Sequence, residues 1–450
     1  MRLLMSKASY RNLVIGVDTL VPLHNGQQVT AINFDNAATT PPLVRVMEEI
    51  NAFAPYYSSI HRGAGYKSAL SSEKFEEARQ TVLDFVGADS RKDTAIFVKN
   101  ATEAINKLAF RLCSGSDEQK SRFSPEKKGV VLSTSMEHHS NDLPWRGRFA
   151  LDYVEIDQWG RLHLSDLENK LQKYAGRVKL VTVSGASNVT GYVNPVHRIA
   201  ETAHKYGAKI MVDGSQLIPH LPFDMREHGS KRHIDYLVFS AHKMYAPFGT
   251  GVLIGPKDTF VPGDPDITGG GTVQVVTHED VIWNPPPAKE EAGTPNLMGV
   301  VALDAAIKTL RGIGMDNIGR HEKDLADYLL KGMKSIPHLD IYVRETGDER
   351  LGIIPFNVRG IFHETMAGVM AGEAGIAIRN GCFCAHPYIH RLLKVPNMDI
   401  VRMINSPGEQ KPGMVRVSFG LYNERREVDV LLSLLEKVSR NRRMYLRKYS

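Results

Sequence analysis

The chain has 450 residues, of which 42% are hydrophobic and 24% charged, with a formal net charge of +6 and three cysteines. This composition excludes a disordered protein, and the length favours two domains over one. No apolar run reaches the roughly 18 residues of a membrane span, polar residues soon after Met1 argue against a secretory signal, and so few cysteines exclude a disulfide scaffold and favour a reducing cytoplasm. The basic residues near the end are predicted to form a solvated helix end rather than a nucleic-acid surface.

Helix-like and strand-like patterns alternate along the first two thirds of the chain. Helices are predicted at residues 68–85, 102–113, 164–174 and 195–206, and short buried strands at residues 129–135, 178–184, 209–213, 234–239 and 251–254. This alternation predicts a mainly parallel sheet that is covered by helices on both faces. We therefore expect a large α/β domain at residues 33–316.

The pattern changes after Thr294. Helices are predicted at residues 297–311, 317–335 and 425–440, and strands at residues 339–343, 352–358 and 414–419. We expect these elements to form a smaller α+β domain at residues 317–450, with residues 1–32 packed against it.

Polar residues follow the predicted strands of the large domain. In open α/β sheets, ligands lie beyond the carboxyl ends of the strands. Lys243 follows the strand at 234–239, and a buried lysine gives up its proton readily and can form the Schiff base that pyridoxal phosphate (PLP) needs. Asp213 ends another strand, where its carboxylate could keep a pyridine nitrogen protonated. Gln216 could reach the phenolic oxygen of the same ring.

Two further features suit the same ligand. Ala101 and Thr102 begin a predicted helix, where free N–H groups and the helix dipole favour a phosphate. His138 could stack on the face of a ring. Each residue alone has an ordinary explanation, such as a helix cap or a solvated lysine. Their combination is what indicates PLP.

The chain resembles the class V aminotransferase superfamily of PLP fold type I. It is most similar to the group II cysteine desulfurases and selenocysteine lyases. The matching segments are FDNAAT (34–39), HRG (61–63), ATEAIN (101–106), EHHSN (137–141), SNVTG (187–191), VDGSQ (212–216), SAHKMYAP (240–247) and EAGTPN (291–296). The resemblance implies a large domain with a mainly parallel seven-stranded sheet and a smaller α+β domain.

The resemblance also implies roles for individual residues. Lys243 would carry PLP, Asp213 would contact the pyridine nitrogen, and His138 would stack on the ring and assist catalysis. Asn188 would lie near the ring oxygen or the substrate carboxylate. The remaining cofactor contacts implied are Gln216 to the phenolic oxygen, Ala101, Thr102, Ser240 and His242 to the phosphate, and Thr294 to the phosphate of a neighbouring subunit. Shared sites of this kind imply a homodimer.

The reaction type is indicated by the smaller domain. The segment RNGCFCAHP (379–387) resembles the active-site loop of cysteine desulfurases, and Cys384 stands where that family has its catalytic thiol. Arg416 stands where the family binds the substrate carboxylate, a task that suits the planar guanidinium, and Arg379 could assist. The resemblance implies transfer of sulfur from L-cysteine to Cys384, with L-alanine as the second product. Arg379 or His386 could lower the pKa of the thiol.

Three features depart from the family pattern. Cys382 adds a second thiol beside Cys384, as a resolving thiol, a bystander or a sign of altered chemistry, while Cys113 is expected in the core and no metal site is expected. Ala101 replaces one of the usual phosphate-binding hydroxyls. Residues 395–413 lengthen the stretch before Arg416 and are expected to form an exposed loop, which could cover the site or dock a sulfur-acceptor protein.

Two other functions stay open. The chain could be another class V PLP enzyme, such as an aminotransferase, a C–S lyase or a kynureninase-like hydrolase, in which Cys384 is incidental. It could also be a PLP-binding scaffold without turnover, although the presence of Lys243, Asp213 and Arg416 argues against that. Cysteine and selenocysteine are not distinguished as substrates. We expect a cytoplasmic homodimer that binds neither membranes nor nucleic acid.

Overall fold

The computed structural model describes residues 10–61, 63–113, 129–344, 347–406 and 410–449. The strands are β1 Leu20–Pro22, β2 Gln28–Thr30, β3 Ile32–Asn33, β4 Asp93–Val98, β5 Val130–Thr134, β6 Ala150–Val154, β7 Val178–Ser184, β8 Lys209–Asp213, β9 Tyr236–Ser240, β10 Gly251–Pro256, β11 Val273–Val276, β12 Val281–Trp283, β13 Leu339–Ile341, β14 Ile353–Val358, β15 Ile376–Ala377, β16 Arg379–Gly381 and β17 Met414–Ser418. The α-helices are α1 Val44–Phe53, α2 Tyr66–Phe85, α3 Ala101–Cys113, α4 Leu164–Lys173, α5 Val196–Lys205, α6 Lys257–Phe260, α7 Leu297–Ile313, α8 Met315–Met333, α9 His363–Ala374, α10 His386–Leu392, α11 Asn397–Asn405, α12 Arg425–Arg440 and α13 Arg442–Tyr449.

The largest sheet has seven strands in the order β4-β10-β9-β8-β7-β5-β6. The strands β5 to β9 pair in parallel, whereas β10 is antiparallel to both of its neighbours. Strands β5 and β9 and most of β7 and β8 are buried, because helices and loops cover both faces of the sheet. Each of these strands is therefore a short, almost continuously apolar run. The predicted mainly parallel sheet and its fold class are confirmed.

A second sheet holds four antiparallel strands in the order β13-β14-β17-β16. Helices α8, α9 and α12 pack with it around a separate apolar cluster that includes Phe356, Val417 and Leu431. The N-terminal part of the chain contacts both clusters: Val14 belongs to the cluster under the large sheet, whereas Ile32, in β3, belongs to that of the four-stranded sheet. The proposed domain boundaries at residues 33 and 316 stay a prediction.

The stretch expected as an exposed loop is partly helical. Helix α11 lies within residues 395–413 and exposes Met398 and Val401 to solvent. Within the same stretch, residues 407–409 lie outside the described residues. Arg62 of the HRG segment also lies outside them. In the part of the chain that the structure describes, no helix is both long and apolar enough to cross a membrane.

The two sheets meet where the active-site candidates lie. The carboxyl ends of β7, β8 and β9 and the first turn of α3 face the loop between β16 and α10. Asn36 joins the two parts from the N-terminal side, because its amide nitrogen donates to the carbonyl oxygen of Ser418 at 3.0 Å. Strand ends from one sheet and a loop from the other thus enclose one cavity.

Candidate active site

One cavity of about 240 Å³ collects most of the predicted site residues. The predicted residues that line it are Ala101, Thr102, His138, Asn188, Asp213, Gln216, Ser240, His242, Lys243, Arg379, Cys384 and Arg416. Thr294 does not line it: this residue lies at a second cavity of about 200 Å³ beside Glu103 and Asn296.

Lys243 ends a short 3₁₀ turn, Ala241–Lys243, that directly follows β9. Its side chain keeps some exposure to the cavity, but the surrounding protein removes its amine from bulk water. This burial lowers the pKa of the Lys243 amine to about 8; Asp213 acts in the opposite direction and Arg416 adds to the lowering. About a tenth of the amine is therefore neutral at pH 7 and about half at pH 8, and this neutral form is nucleophilic and basic.

Asp213 is the last residue of β8, and Gln216 lies three residues beyond it on the neighbouring side of the cavity. The backbone N–H of Ser215 donates to Asp213 Oδ1 at 3.0 Å and fixes the carboxylate. The Gln216 amide nitrogen donates to the carbonyl oxygen of Ala37 at 2.7 Å. Its oxygen, Oε1, is buried without a hydrogen-bond partner among the described residues. A buried polar atom of this kind needs a partner, which a ligand in the cavity would supply.

The opposite end of the cavity is built on the start of α3. The backbone N–H of Ala101 donates to the Ser240 hydroxyl at 2.8 Å, and the Thr102 and Ser140 hydroxyls lie 2.7 Å apart. His242 also faces this end, and burial followed by the charge of Lys243 lowers the pKa of its ring to about 4. Hydroxyls, a helix N-terminus and neutral imidazole together suit a phosphate group.

His138 lines the cavity between these two ends. Its Nδ1 accepts the backbone N–H of Ser140 at 3.1 Å, so the ring carries its proton on Nε2 when neutral. Burial and the nearby Lys243 lower the pKa of His138 to about 4, against the attraction of Asp213. The ring is neutral at physiological pH and presents an uncharged face.

Arg416, on β17, is fully enclosed. Its Nη1 donates to the carbonyl oxygen of Asn188 at 2.8 Å and its Nη2 donates to Asp35 Oδ1 at 2.9 Å. Its Nε is buried with no partner among the described residues. Burial lowers the pKa of the guanidinium, while Asp35 opposes that shift. Arg379 lies nearby with half of its side chain exposed, 3.7 Å from Asp35 Oδ2.

Cys384 lies on the exposed side of the cavity in a bent loop. Cys384 and Phe383 have φ values of +56° and +48°, a left-handed conformation that is uncommon for residues other than glycine. Three contacts hold the loop: Asn188 Nδ2 donates to the Phe383 carbonyl oxygen at 2.7 Å, the backbone N–H of His139 donates to the Cys384 carbonyl oxygen at 2.7 Å, and the Arg416 guanidinium lies 4.8 Å from the centre of the Phe383 ring.

The other two cysteines are placed differently. Cys382 is half-buried, its thiol lies 3.2 Å from the Pro412 carbonyl oxygen, and burial raises its pKa to about 11. It does not line the cavity. Cys113 is partly buried at the end of α3 and packs against an apolar cluster. Among the described residues, no group of three or more His, Cys, Asp or Glu side chains could hold a metal ion.

Three contributors had no role assigned from the sequence. Asp35 pairs with both arginines, Ser140 contacts Thr102, and Phe383 packs under Arg416. Asp35 and Ser140 stand inside the matched segments FDNAAT and EHHSN, which is the one signal that could have pointed to them. Neither spacing nor periodicity shows that Asp35 contacts residues more than 340 positions away.

The cavity fits PLP. It offers an amine at Lys243, a carboxylate at Asp213, the unpartnered oxygen of Gln216 and, at the start of α3, an end that suits a phosphate. These groups complement an aldehyde, a pyridinium nitrogen, a phenolic hydroxyl and a phosphate, in that order. The match in chemistry, not any single residue, makes PLP the cofactor that suits this site.

Comparison with known proteins agrees with this site. The family described as aminotransferase class V matches residues 32–431. The chain is 33% identical over 429 residues to the cysteine desulfurase of Haloferax volcanii, covering 94% of this chain and 93% of that protein. It is 32% identical over 412 residues to a probable cysteine desulfurase of Halalkalibacterium halodurans, covering 90% of this chain and 92% of that protein.

Solved structures show the same relation. The apo cysteine desulfurase of Thermococcus onnurineus superposes with a TM-score of 0.80 and 30% identity, covering 91% of this chain and 95% of that one. The cysteine desulfurase CsdA (S-sulfonic acid) of Escherichia coli superposes with a TM-score of 0.76 and 25% identity, covering 93% and 96%. The resemblance to cysteine desulfurases is thus confirmed, and the chain belongs to the aminotransferase class V family.

Proposed function

We propose that the protein is a PLP-dependent cysteine desulfurase, which converts L-cysteine to L-alanine and retains the sulfur on Cys384. The observation that carries this proposal is one cavity lined by Lys243, Asp213, Arg416 and Cys384. It combines a cofactor-binding end with a carboxylate-binding cation and an accessible thiol. The matches to cysteine desulfurases over nine tenths of the chain support the same reaction.

Lys243 would hold PLP through its amine, with Asp213 at the ring nitrogen and His138 on the ring face. When bound, PLP withdraws electrons from the α-carbon of an amino acid and so labilises the bonds around it. Thr102, Ser240 and His242 would hold the phosphate at the start of α3.

Arg416 would bind the substrate carboxylate. Its buried Nε has a free donor position, and Asn188 fixes the guanidinium from the other side through its carbonyl oxygen. A carboxylate that accepts from a buried guanidinium forms a charge-assisted hydrogen bond, which is stronger than a neutral one. Arg379, at the exposed mouth of the cavity, would assist entry of the anion.

Lys243 would also move the proton of the substrate α-carbon once its amine is free. The lowered pKa of about 8 suits this task, because a base works best when its pKa lies near the working pH. The neutral ring of His138 adds no positive charge beside this amine.

Cys384 would take the sulfur. Its thiolate attacks the substrate sulfur, an S–S bond forms, and the Cβ–S bond of the substrate breaks. The electron pair of the broken bond stays with the carbon fragment, which gains a proton and leaves as L-alanine. The balance is L-cysteine plus the Cys384 thiol to L-alanine plus a Cys384 persulfide, with no external oxidant.

Further parts of this proposal rest on the sequence. Thr294 lies outside the cavity of its own chain, so it would contribute to the cofactor phosphate only in a homodimer with shared sites. A sulfur-acceptor protein would receive the persulfide sulfur, and a reducing cytoplasm would keep the Cys384 thiol available. The homodimer, the acceptor protein and the cytoplasmic location stay predictions.

The test is a product assay with matched variants. The purified protein, with its cofactor, is mixed with L-cysteine and a thiol reductant, and sulfide and alanine are measured together. We expect equal yields of both products in the wild type and in Cys382→Ala. Cys384→Ala should give neither product yet keep the yellow cofactor.

Other outcomes would point elsewhere. Pyruvate and ammonia in place of alanine would indicate a C–S lyase and overturn the proposal. Alanine formation that is undiminished in Cys384→Ala would show that this thiol is incidental and that the enzyme belongs to another class V activity.

A further inference from the structure

His139 connects the two halves of the site without lining its cavity. It follows His138 in the chain, and its backbone N–H donates to the Cys384 carbonyl oxygen at 2.7 Å. Its ring Nε2 lies 3.2 Å from the backbone nitrogen of His386 and 3.0 Å from His386 Nδ1. One residue therefore holds the backbone of the thiol loop at two points, on either side of Ala385.

The bonding pattern assigns the protons on these two rings. The backbone N–H of His386 can only donate, so Nε2 of His139 must present its lone pair. His139 is then neutral with its proton on Nδ1, and His386 carries a proton on its own Nδ1 and donates it. The rings lie nearly parallel, 7° apart in plane and 4.8 Å between centres. Protonation of His139 at Nε2 would abolish the hydrogen bond from the His386 backbone N–H, which can only donate, and would force His386 to move its own proton from Nδ1 to Nε2 for the rings to stay paired.

The backbone conformation of the thiol loop depends on contacts of this kind. Phe383 and Cys384 both have a left-handed backbone, which is unfavourable for residues with a side chain and persists only where the surroundings impose it. Asn188 fixes the loop from the side of β7 through the Phe383 carbonyl oxygen. His139 and His386 fix the side that faces solvent, where Cys384 is exposed.

Resting on the function proposed above, we propose that His139 and His386 are positioning residues, which hold the Cys384 thiol toward the substrate and release it when His139 takes up a proton. Both act through the loop and not on substrate, because neither lines the cavity. We call His139 and His386 together the histidine latch.

The surroundings of the histidine latch determine when it opens. Burial, then the neighbouring His386 and Arg146, lower the pKa of His139, whereas Asp142 raises it. The ring of His138 lies 6.3 Å away. Burial, then Lys411, lower the pKa of His386, and the ring of His390 lies 5.8 Å from it. Both rings are therefore neutral at physiological pH, and the latch opens only on acidification below the ordinary histidine value.

Three variants separate the parts of this latch. His386→Ala removes the side-chain donor, and His386→Asn restores a donor near the position of Nδ1. His139→Gln places an amide oxygen, which accepts but does not titrate, where Nε2 stood. We expect His386→Ala to lower kcat for alanine formation about tenfold, with KM changed less than about twofold and the yellow cofactor retained. His386→Asn should recover most of the loss.

Two further measurements test whether His139 and His386 position the loop that carries Cys384. The acid side of the kcat profile should flatten in His139→Gln, because no proton can then open the latch. Independently of turnover, the amides of the peptide spanning residues 381–390 should exchange hydrogen faster in His386→Ala than in the wild type or His386→Asn at one fixed pH.

An unchanged kcat together with unchanged exchange in His386→Ala would overturn the proposal, as would an acid limb in His139→Gln identical to that of the wild type. If the wild type made no alanine from L-cysteine, the proposed function would fail, whereas the exchange comparison would still decide whether the latch holds the loop.

Discussion

Arg416 Nη2 donates to Asp35 Oδ1 at 2.9 Å, and this ion pair joins β17 to the segment that follows β3. The arginine side chain is 3% exposed and the carboxylate 20%. The residue proposed to bind the substrate carboxylate is thus oriented by a resident carboxylate and by the Asn188 carbonyl oxygen, which leaves Nε as its free donor.

Substitution of Arg416 tests this arrangement. Arg416→Lys keeps the charge but replaces a planar fork with an ammonium group, whose three donors leave one nitrogen and cannot reach the partners of Nη1, Nη2 and Nε together. We expect KM for L-cysteine to rise about 10- to 100-fold, the equivalent of one charge-assisted hydrogen bond. Steady-state kinetics would show it, with the exposed Arg359→Lys as the matched control. A KM within about twofold of the wild type would contradict the assigned role.

The amine of Lys243 should make cofactor uptake depend on pH. Because its pKa is lowered to about 8, the neutral amine that bonds to the PLP aldehyde accumulates as the pH rises through 8 and is complete soon above it. The uptake rate of cofactor-free protein, followed by absorbance, should therefore rise up to about pH 9 and then level off. A rate that still climbs near the ordinary lysine value would contradict the lowered pKa.

Glu137 should make stability depend on pH. Its buried carboxylate accepts hydrogen bonds from Ser184, Thr134 and Asn141. Burial raises the pKa of Glu137 from 4.5 to about 7, although these hydrogen bonds act to lower it. The folded state therefore binds the proton more tightly than the unfolded state. The resulting stabilisation is complete below pH 4.5 and is lost as the pH rises toward 7, by about 3 kcal/mol in total.

Denaturant unfolding of Glu137→Gln would measure this contribution. The variant does not titrate, so the free energy of unfolding of the wild type should fall relative to the variant between about pH 5 and about pH 8. Glu48→Gln, on the exposed face of α1, is the matched control for replacing a carboxylate at the surface. A Glu137→Gln difference that stayed constant would mean that Glu137 is ionised throughout.

A buried ion pair should stabilise the segment before Thr294. Arg79 and Glu291 are 8% and 5% exposed and form two hydrogen bonds of 2.8 and 3.0 Å. Removing one partner leaves a buried charge, so Glu291→Ala should lower the free energy of unfolding by about 3 to 5 kcal/mol. Glu76→Ala removes a second partner of Arg79 that is 51% exposed, and should cost less than about 1 kcal/mol. Equal losses in the two variants would refute this distinction.

Much of the fold was predictable because the central strands are short, apolar runs. The predicted strands at 178–184 and 209–213 coincide with β7 and β8, and the helix at 425–440 coincides with α12. Strand β6 was missed, since it lies at a sheet edge with four of its five residues only half-buried and shows no clear period. The antiparallel direction of β10 also carries no signal in its own residues.

The site was predictable only as residue types in matching segments. Asp213 could be proposed because it ends an apolar strand, and Lys243 because it closely follows one. The ion pair of Arg416 with Asp35 spans 381 positions, and the contact of His139 with His386 spans 247. Such contacts depend on how the two sheets meet, which no local pattern encodes. The helix α11 was likewise hidden by flanking Pro and Gly residues that favour a loop.

The most direct test of the account is to locate the sulfur after a single turnover. The PLP-loaded protein is mixed with one equivalent of L-cysteine without reductant, and its peptides are analysed by mass spectrometry beside an assay for alanine. We expect the peptide with Cys384 to carry one additional sulfur atom, in an amount equal to the alanine formed. Alanine or pyruvate released while Cys384 stays unmodified would contradict the central claim.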